Sequence, residues 1–123
     1  MGVRILLVED DAALGELVVE ALAEDGHATM HVDDPERAFA LAESREWDLF
    51  IVDGFGGSTV QPDATYCTSL RRLSEYAPVL VTTGRAWARD TPAQMIGAQA
   101  VLPKPYDLEQ LAGHVAALGP PAG

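Results

Sequence analysis

Five short apolar runs punctuate the chain, and each is followed by a longer segment whose apolar residues recur at helical spacing. Val3 to Val8 predicts a strand buried on both faces, and a helix follows from about Ala12 to Asp25. Leu14, Val18, Ala21 and Leu22 fall on one side of that helix, with Gly26 as its stop. Ala28 to Val32 predicts a second strand. "DDPERAFALAES" predicts a second helix, opened by an Asp cap with Pro35 in the first turn, where a missing N–H loses no intrahelical partner. Leu49 to Val52 is the third strand.

Beyond it, "DGFGGSTVQPD" predicts a long glycine-rich loop before a helix from about Ala64 to Glu75. Pro78 to Thr82 predicts the fourth strand. "GRAWARD" reads as polar and irregular, and "TPAQ" then supplies a capping-box start, with Thr91 and Gln94 bracketing Pro92, for a short fourth helix. A brief fifth strand at 100–102 leads to a last helix from near Asp107 to just before Gly119. Five strands alternating with five helices require a parallel sheet covered on both faces, because parallel neighbours are joined by right-handed crossovers. One domain over 1–118 is expected, with 119–123, "GPPAG", as a tail or the start of a linker.

At 123 residues the chain has room for one core and not two. A hydrophobic share of 48% excludes a largely disordered chain. No apolar run approaches a membrane span, and the first residues lack the basic and long apolar regions of a signal peptide, so a cytoplasmic protein with no membrane contact is expected. Nineteen acids against 8 Lys and Arg give a net charge of −11, which repels a phosphate backbone. Direct nucleic-acid binding by this chain is therefore not expected. Basic protein surfaces, or small anions drawn to one local positive spot, fit better. The single cysteine, Cys67, excludes an internal disulfide and is expected as a half-buried helix thiol. His27, His31 and His114 are scattered and read as surface residues, and Trp47 reads as packing over a helix-to-strand turn.

The stretch "RILLVEDDAAL" runs from its apolar strand into three carboxylates, Glu9, Asp10 and Asp11. Adjacent carboxylates repel, and near a core edge they need water, a cation or a basic side chain as compensation. In one reading Asp11 caps the helix and the other two are solvated. In the other they form a hard-metal site, because Mg²⁺ is held by one or two carboxylates with waters and a phosphate. In an open α/β sheet ligands bind outside the carboxyl ends of the strands, so Glu9, Asp10, Asp53, Thr83 and Lys104 are the residues to collect. Three acids, a hydroxyl and an amine can hold Mg²⁺, present a carboxylate nucleophile and stabilise a transferring phosphoryl group. Singly, each has a plainer reading as a cap acid, a strand residue or a solvated turn cation. Their joint placement carries the argument.

"ILLVEDD", "DLFIVD", "PVLVTTG" and "GAQAVLPKP" occur in that order, with 43 residues from Asp10 to Asp53, 30 from Asp53 to Thr83 and 21 from Thr83 to Lys104. In these motifs the chain resembles the receiver domain of two-component response regulators over nearly its whole length. The resemblance implies a doubly wound, flavodoxin-like α/β fold with strand order 2-1-3-4-5. It also implies a signalling switch that accepts a phosphoryl group from a sensor histidine kinase or phosphotransfer protein. Carried over by position, Asp53 is the phosphoacceptor, Asp10 binds Mg²⁺ directly, Glu9 holds it through water, and the backbone carbonyl of Phe55 is a further ligand. Thr83 hydrogen-bonds the phosphoryl oxygen, Gly84 leaves room for the donor, Lys104 neutralises the aspartyl phosphate, and Lys104-Pro105 is a cis peptide. Such a domain catalyses its own phosphoryl acceptance and autodephosphorylation but is primarily a switch.

The chain also departs from the family pattern. Gly57 stands where receivers carry a proline after the phosphoacceptor, and Val101 stands where an aromatic switch residue precedes the lysine by three. With the short fourth helix, these changes alter the face through which receivers dimerise or signal, so a homodimer is only an option. The segment from Arg85 to Thr91, polar and with few apolar anchors, is expected to move on phosphorylation instead. Three other classes compete with this reading. An aspartate-nucleophile phosphatase carries a second acid two residues after its nucleophile, where this chain has Phe55. A flavin module needs a phosphate-cradling loop after the first strand, where "EDDAAL" repels phosphate. A pseudo-receiver serving only as a phosphorylation-independent docking module is the serious alternative: the altered loop favours it, and the five residues at the strand ends oppose it.

Overall fold

A computed structural model describes residues 2–53 and 64–120. Its strands β1 (Arg4–Val8), β2 (Ala28–Val32), β3 (Leu49–Asp53), β4 (Val79–Thr83) and β5 (Ala100–Pro103) form one parallel sheet in the order β2-β1-β3-β4-β5. Helices α1 (Ala12–Glu24), α2 (Pro35–Ser44), α3 (Ala64–Ser74), α4 (Ala93–Ile96) and α5 (Leu108–Leu118) cover it. This is the doubly wound topology expected from the alternation of apolar runs.

Strand alternation sorts the apolar side chains into two cores. Leu6, Val8, Phe50, Val52, Val79 and Val81 join one with Ala38 and Ala42 of α2 and Leu70 and Leu73 of α3. Ile5, Leu7, Leu49, Ile51, Leu80 and Leu102 join the other with Val18 and Leu22 of α1 and Leu111 and Val115 of α5. Glu9 continues the row of Ile5 and Leu7, Asp53 that of Leu49 and Ile51, and Lys104 that of Leu102. The same alternation that builds the second core therefore aims these three polar groups to one side of the sheet.

Local signals fix most of the ends. Asp11 is the N-cap of α1 and accepts from the Leu14 N–H at 3.1 Å. Asp34 caps α2 and accepts from the Glu36 N–H at 2.9 Å, with Pro35 opening the helix. Gly26 stops α1 with φ of +86°, a conformation in which a β-carbon is disfavoured.

Four expectations are corrected. The Thr91–Gln94 capping box does not form: Pro92 itself is the N-cap of α4, with no side-chain cap, because a four-residue helix starts one residue after the threonine could serve it. The capping box lies instead at α5, between Asp107 and Gln110. The segment after β4 is not loosely anchored. Ala86–Arg89 forms a 3₁₀ turn that buries Trp87 to 4% exposure and places it in the first core. Cys67 is buried rather than half-buried. His27 and His31 are half-buried and bonded: the His27 Nδ1 accepts from the Val3 N–H at 3.1 Å, and the His31 Nε2 lies 2.8 Å from the Glu9 carbonyl oxygen. Trp47 sits over the α2-to-β3 turn as its position predicts, donating from Nε1 to the Leu41 carbonyl at 2.9 Å.

Candidate functional site

The carboxyl ends of β1, β3 and β5 meet at one polar cluster, and Thr83 at the end of β4 joins it through its backbone carbonyl, which accepts from the Lys104 N–H. Glu9 follows β1 and extends its pairing, its N–H donating to the Val32 carbonyl at 3.0 Å. Its side chain is 2% exposed, a setting that needs compensation for a carboxylate. Lys104 supplies it, with Nζ 2.9 Å from Glu9 Oε1 and 3.0 Å from Asp53 Oδ1. The Lys104 backbone is held against β4, its N–H donating to the Thr83 carbonyl at 2.7 Å; the Lys104-Pro105 peptide is cis.

Glu9, Asp10 and Asp53 each bring a carboxylate oxygen within 4.8 Å of the others. Three hard oxygen donors at this separation suit a small divalent cation such as Mg²⁺. Without one, the charges perturb each other. Burial, and then the adjacent Asp10 carboxyl, push Asp53 up to about 6 from 3.8, while Lys104 pulls the other way. The hydrogen bond with Asp53 holds Asp10 below the ordinary value, over the opposing effect of burial. Burial works against the charge of Lys104, but its bonds to Glu9 and Asp53 overcome this and raise its pKa.

Thr83 is the last residue of β4 and is 1% exposed. Its hydroxyl oxygen accepts from the Arg85 N–H at 3.1 Å, which leaves the hydroxyl hydrogen able to donate elsewhere. At Gly84 a β-carbon would meet only Lys104 Cβ, at an ordinary 3.8 Å, so the chain's own packing does not require glycine there. Phe55 and Gly57 lie outside the described residues.

Sequence reasoning missed Tyr66. Its hydroxyl donates to the backbone carbonyl of Asp53 at 3.2 Å, and its ring lies against Trp87 with centroids 6.3 Å apart. Burial, with the nearby Asp53 charge, pushes its phenol well above the usual range, so it stays a donor. The available signal was an aromatic residue in the first turn of α3, just after the glycine-rich segment.

Comparison with known proteins identifies the family. The family description "Response regulator receiver domain" matches residues 5–116. The chain is 35% identical over 122 residues to the transcriptional regulatory protein TcrA of Mycobacterium tuberculosis, covering 95% of this chain and 46% of that one. It is 32% identical to the response regulator MprA of Mycolicibacterium vanbaalenii, covering 96% and 51%. The chain thus spans about half the length of the curated relatives it matches. Among solved structures, a response regulator receiver protein from Burkholderia phymatum superposes with a TM-score of 0.74 at 27% identity, covering 94% and 93%. The chemotaxis response regulator CheY4 of Vibrio cholerae shares the fold, with a TM-score of 0.77 at 20% identity, covering 96% and 99%. Among the described residues no helix is long and apolar enough to cross a membrane. The chain belongs to the response regulator receiver domains of two-component systems.

Proposed function

We propose that this domain accepts a phosphoryl group on Asp53 from a phosphohistidine of a sensor kinase or phosphotransfer protein, with Mg²⁺ held by Asp10 and Asp53 and by Glu9 through water. The observation that carries the reading is the placement of Lys104 Nζ within 3.0 Å of Asp53 and 2.9 Å of Glu9, beside three mutually close carboxylates. A helix cap or a solvated turn lysine has no reason to be gathered this way.

The chemistry follows from the residues. In the metal-free site the Asp53 carboxyl titrates near 6, so it is already ionised at neutral pH, and a cation beside it favours the ionised, nucleophilic form further. One Asp53 oxygen forms a bond to phosphorus as the phosphorus–nitrogen bond breaks, and that electron pair leaves on the imidazole. Lys104, already hydrogen-bonded to Asp53, stays beside the charge that collects on the phosphoryl oxygens, and the free hydrogen of Thr83 can donate to one of them. Bound Mg²⁺ supplies further charge neutralisation of those oxygens. The backbone carbonyl of Phe55 is proposed as an additional ligand. By analogy with its transcriptional-regulator relatives, the domain is proposed to be the input module of a longer regulator, with residues 1–118 as the receiver and 119–123 as a tail or the start of a linker; DNA contact would belong to an output part.

The test is chemical. Label transferred from a phosphohistidine donor in the presence of Mg²⁺ is expected to be released by hydroxylamine, as an acyl phosphate is. Label that survives hydroxylamine as a serine or threonine phosphate would refute the assignment.

A further inference from the structure

We infer that His31 is a positioning residue for the acid pair, and that Gly15 exists to admit its ring. The inference rests on the metal site proposed above. Glu9 and Asp10 share the peptide unit whose carbonyl is that of Glu9. His31, near the end of β2, brings Nε2 to 2.8 Å from this carbonyl oxygen. A carbonyl only accepts, so Nε2 carries the proton and donates, which sets the tautomer. On the other side of Glu9, its N–H donates to the Val32 carbonyl at 3.0 Å. Two consecutive residues of β2 therefore hold both backbone polar groups of Glu9. The acid whose side chain meets Lys104, and the next acid in the chain, have their backbone orientation fixed from the neighbouring strand.

Helix α1 is shaped around this contact. A β-carbon on Gly15 would fall 2.1 to 2.6 Å from three atoms of the His31 ring, closer than such contacts occur. Gly15 is buried in the interior of α1, where glycine weakens a helix relative to alanine, so its presence there has a packing reason. The ring fills the space over Gly15. It also lines a small cleft with Asp10, Asp33 and Arg37, beside the carboxylate cluster. Supporting groups that orient a ligand's backbone affect metal affinity without touching the ion.

The experiment is calorimetric titration of the metal-free protein with Mg²⁺ at pH 8, with melting temperature recorded for each variant. His31→Phe keeps a ring but loses the donor, and is expected to weaken Mg²⁺ binding about tenfold. His31→Gln, whose amide can reach the same carbonyl as a donor, should recover much of that loss. Gly15→Ala, which displaces the ring, should weaken binding in the parent but have little further effect in the His31→Phe background. A purely structural histidine would instead lower the melting temperature and leave Mg²⁺ affinity unchanged in all three variants, and that result would overturn the inference. Asp10→Asn separates the two claims. If it abolishes binding while His31→Phe and Gly15→Ala bind as the parent does, the metal site stands and the role of His31 falls. If the parent itself does not bind Mg²⁺, both fall.

Discussion

The Tyr66 hydroxyl donates to the main-chain carbonyl of Asp53 at 3.2 Å, so the proposed phosphoacceptor is tied to α3 through its backbone as well as to Lys104 through its side chain. The Tyr66 ring in turn leans on Trp87, tilted by 53°. Val101 offers no ring on β5, and these two aromatics form a buried connection from Asp53 to the 3₁₀ turn after β4. Beryllium fluoride, as a phosphoryl mimic at Asp53, should therefore shift Trp87 emission in a Trp47→Phe background. Tyr66→Phe should lose most of that shift, with a stability loss of about 1 kcal/mol for the missing hydrogen bond. An undiminished shift in Tyr66→Phe would remove this route.

That connection also shows where the sequence was legible and where it was not. Short apolar runs of three to six residues between turn signals located every strand, and Asp11, Asp34 and Gly26 marked helix ends by local chemistry alone. The polar residues after each strand were identifiable because topology brings strand ends together whatever the details of packing. Trp87 was not legible: a four-residue 3₁₀ turn is too short to show a period, and its polar neighbours Arg85, Arg89 and Asp90 concealed a buried indole. His31 and Gly15 were not legible either, because their relation spans two elements. Thr91 failed as a cap because Pro92 occupies the cap position itself.

Removing Lys104 should expose what it compensates. Glu9 is almost fully buried, and Lys104→Met leaves it beside Asp10 and Asp53 with no paired cation. Because the lysine is 22% exposed, the loss should be below that of a fully buried pair, on the order of 2 kcal/mol in urea unfolding without metal. Glu9→Gln in the same background should recover part of it. Additive losses in the double variant would contradict the coupling.

Metal-free stability should depend on pH through Asp53. Its carboxyl titrates near 6 in the folded protein against 3.8 ordinarily, so the native state holds this proton more tightly. Its contribution is full below about pH 4, is lost as pH rises through about 6, and is level above that, a change of about 3 kcal/mol. The lowered pKa of Asp10 acts in the opposite sense, its contribution being lost as pH falls below 3.8 toward its folded value. Raised by its carboxylate partners, Lys104 keeps its contribution until pH exceeds its ordinary 10.5. Calorimetric melting in chelator from pH 4 to 8 should show the Asp53 decline in the parent and a flat profile in Asp53→Asn. An equal decline in both would place the titrating group elsewhere.

Mg²⁺ should reverse that destabilisation, because a ligand bound only by the native state stabilises by mass action, about 2.7 kcal/mol at a hundred times its dissociation constant. At pH 8, where Asp53 has lost the proton it shares with Asp10, Asp10→Asn should melt higher than the parent in chelator because it relieves repulsion, and it should respond less to millimolar Mg²⁺. A parent-like response in Asp10→Asn would exclude Asp10 from the site.

The most direct measurement is intact mass after incubation with a small phosphodonor, with and without Mg²⁺. The parent should gain one phosphoryl group only when Mg²⁺ is present, and Asp53→Asn should gain none. Equal labelling of Asp53→Asn, or no labelling of the parent under any condition, would contradict the assignment of Asp53 as the phosphoacceptor.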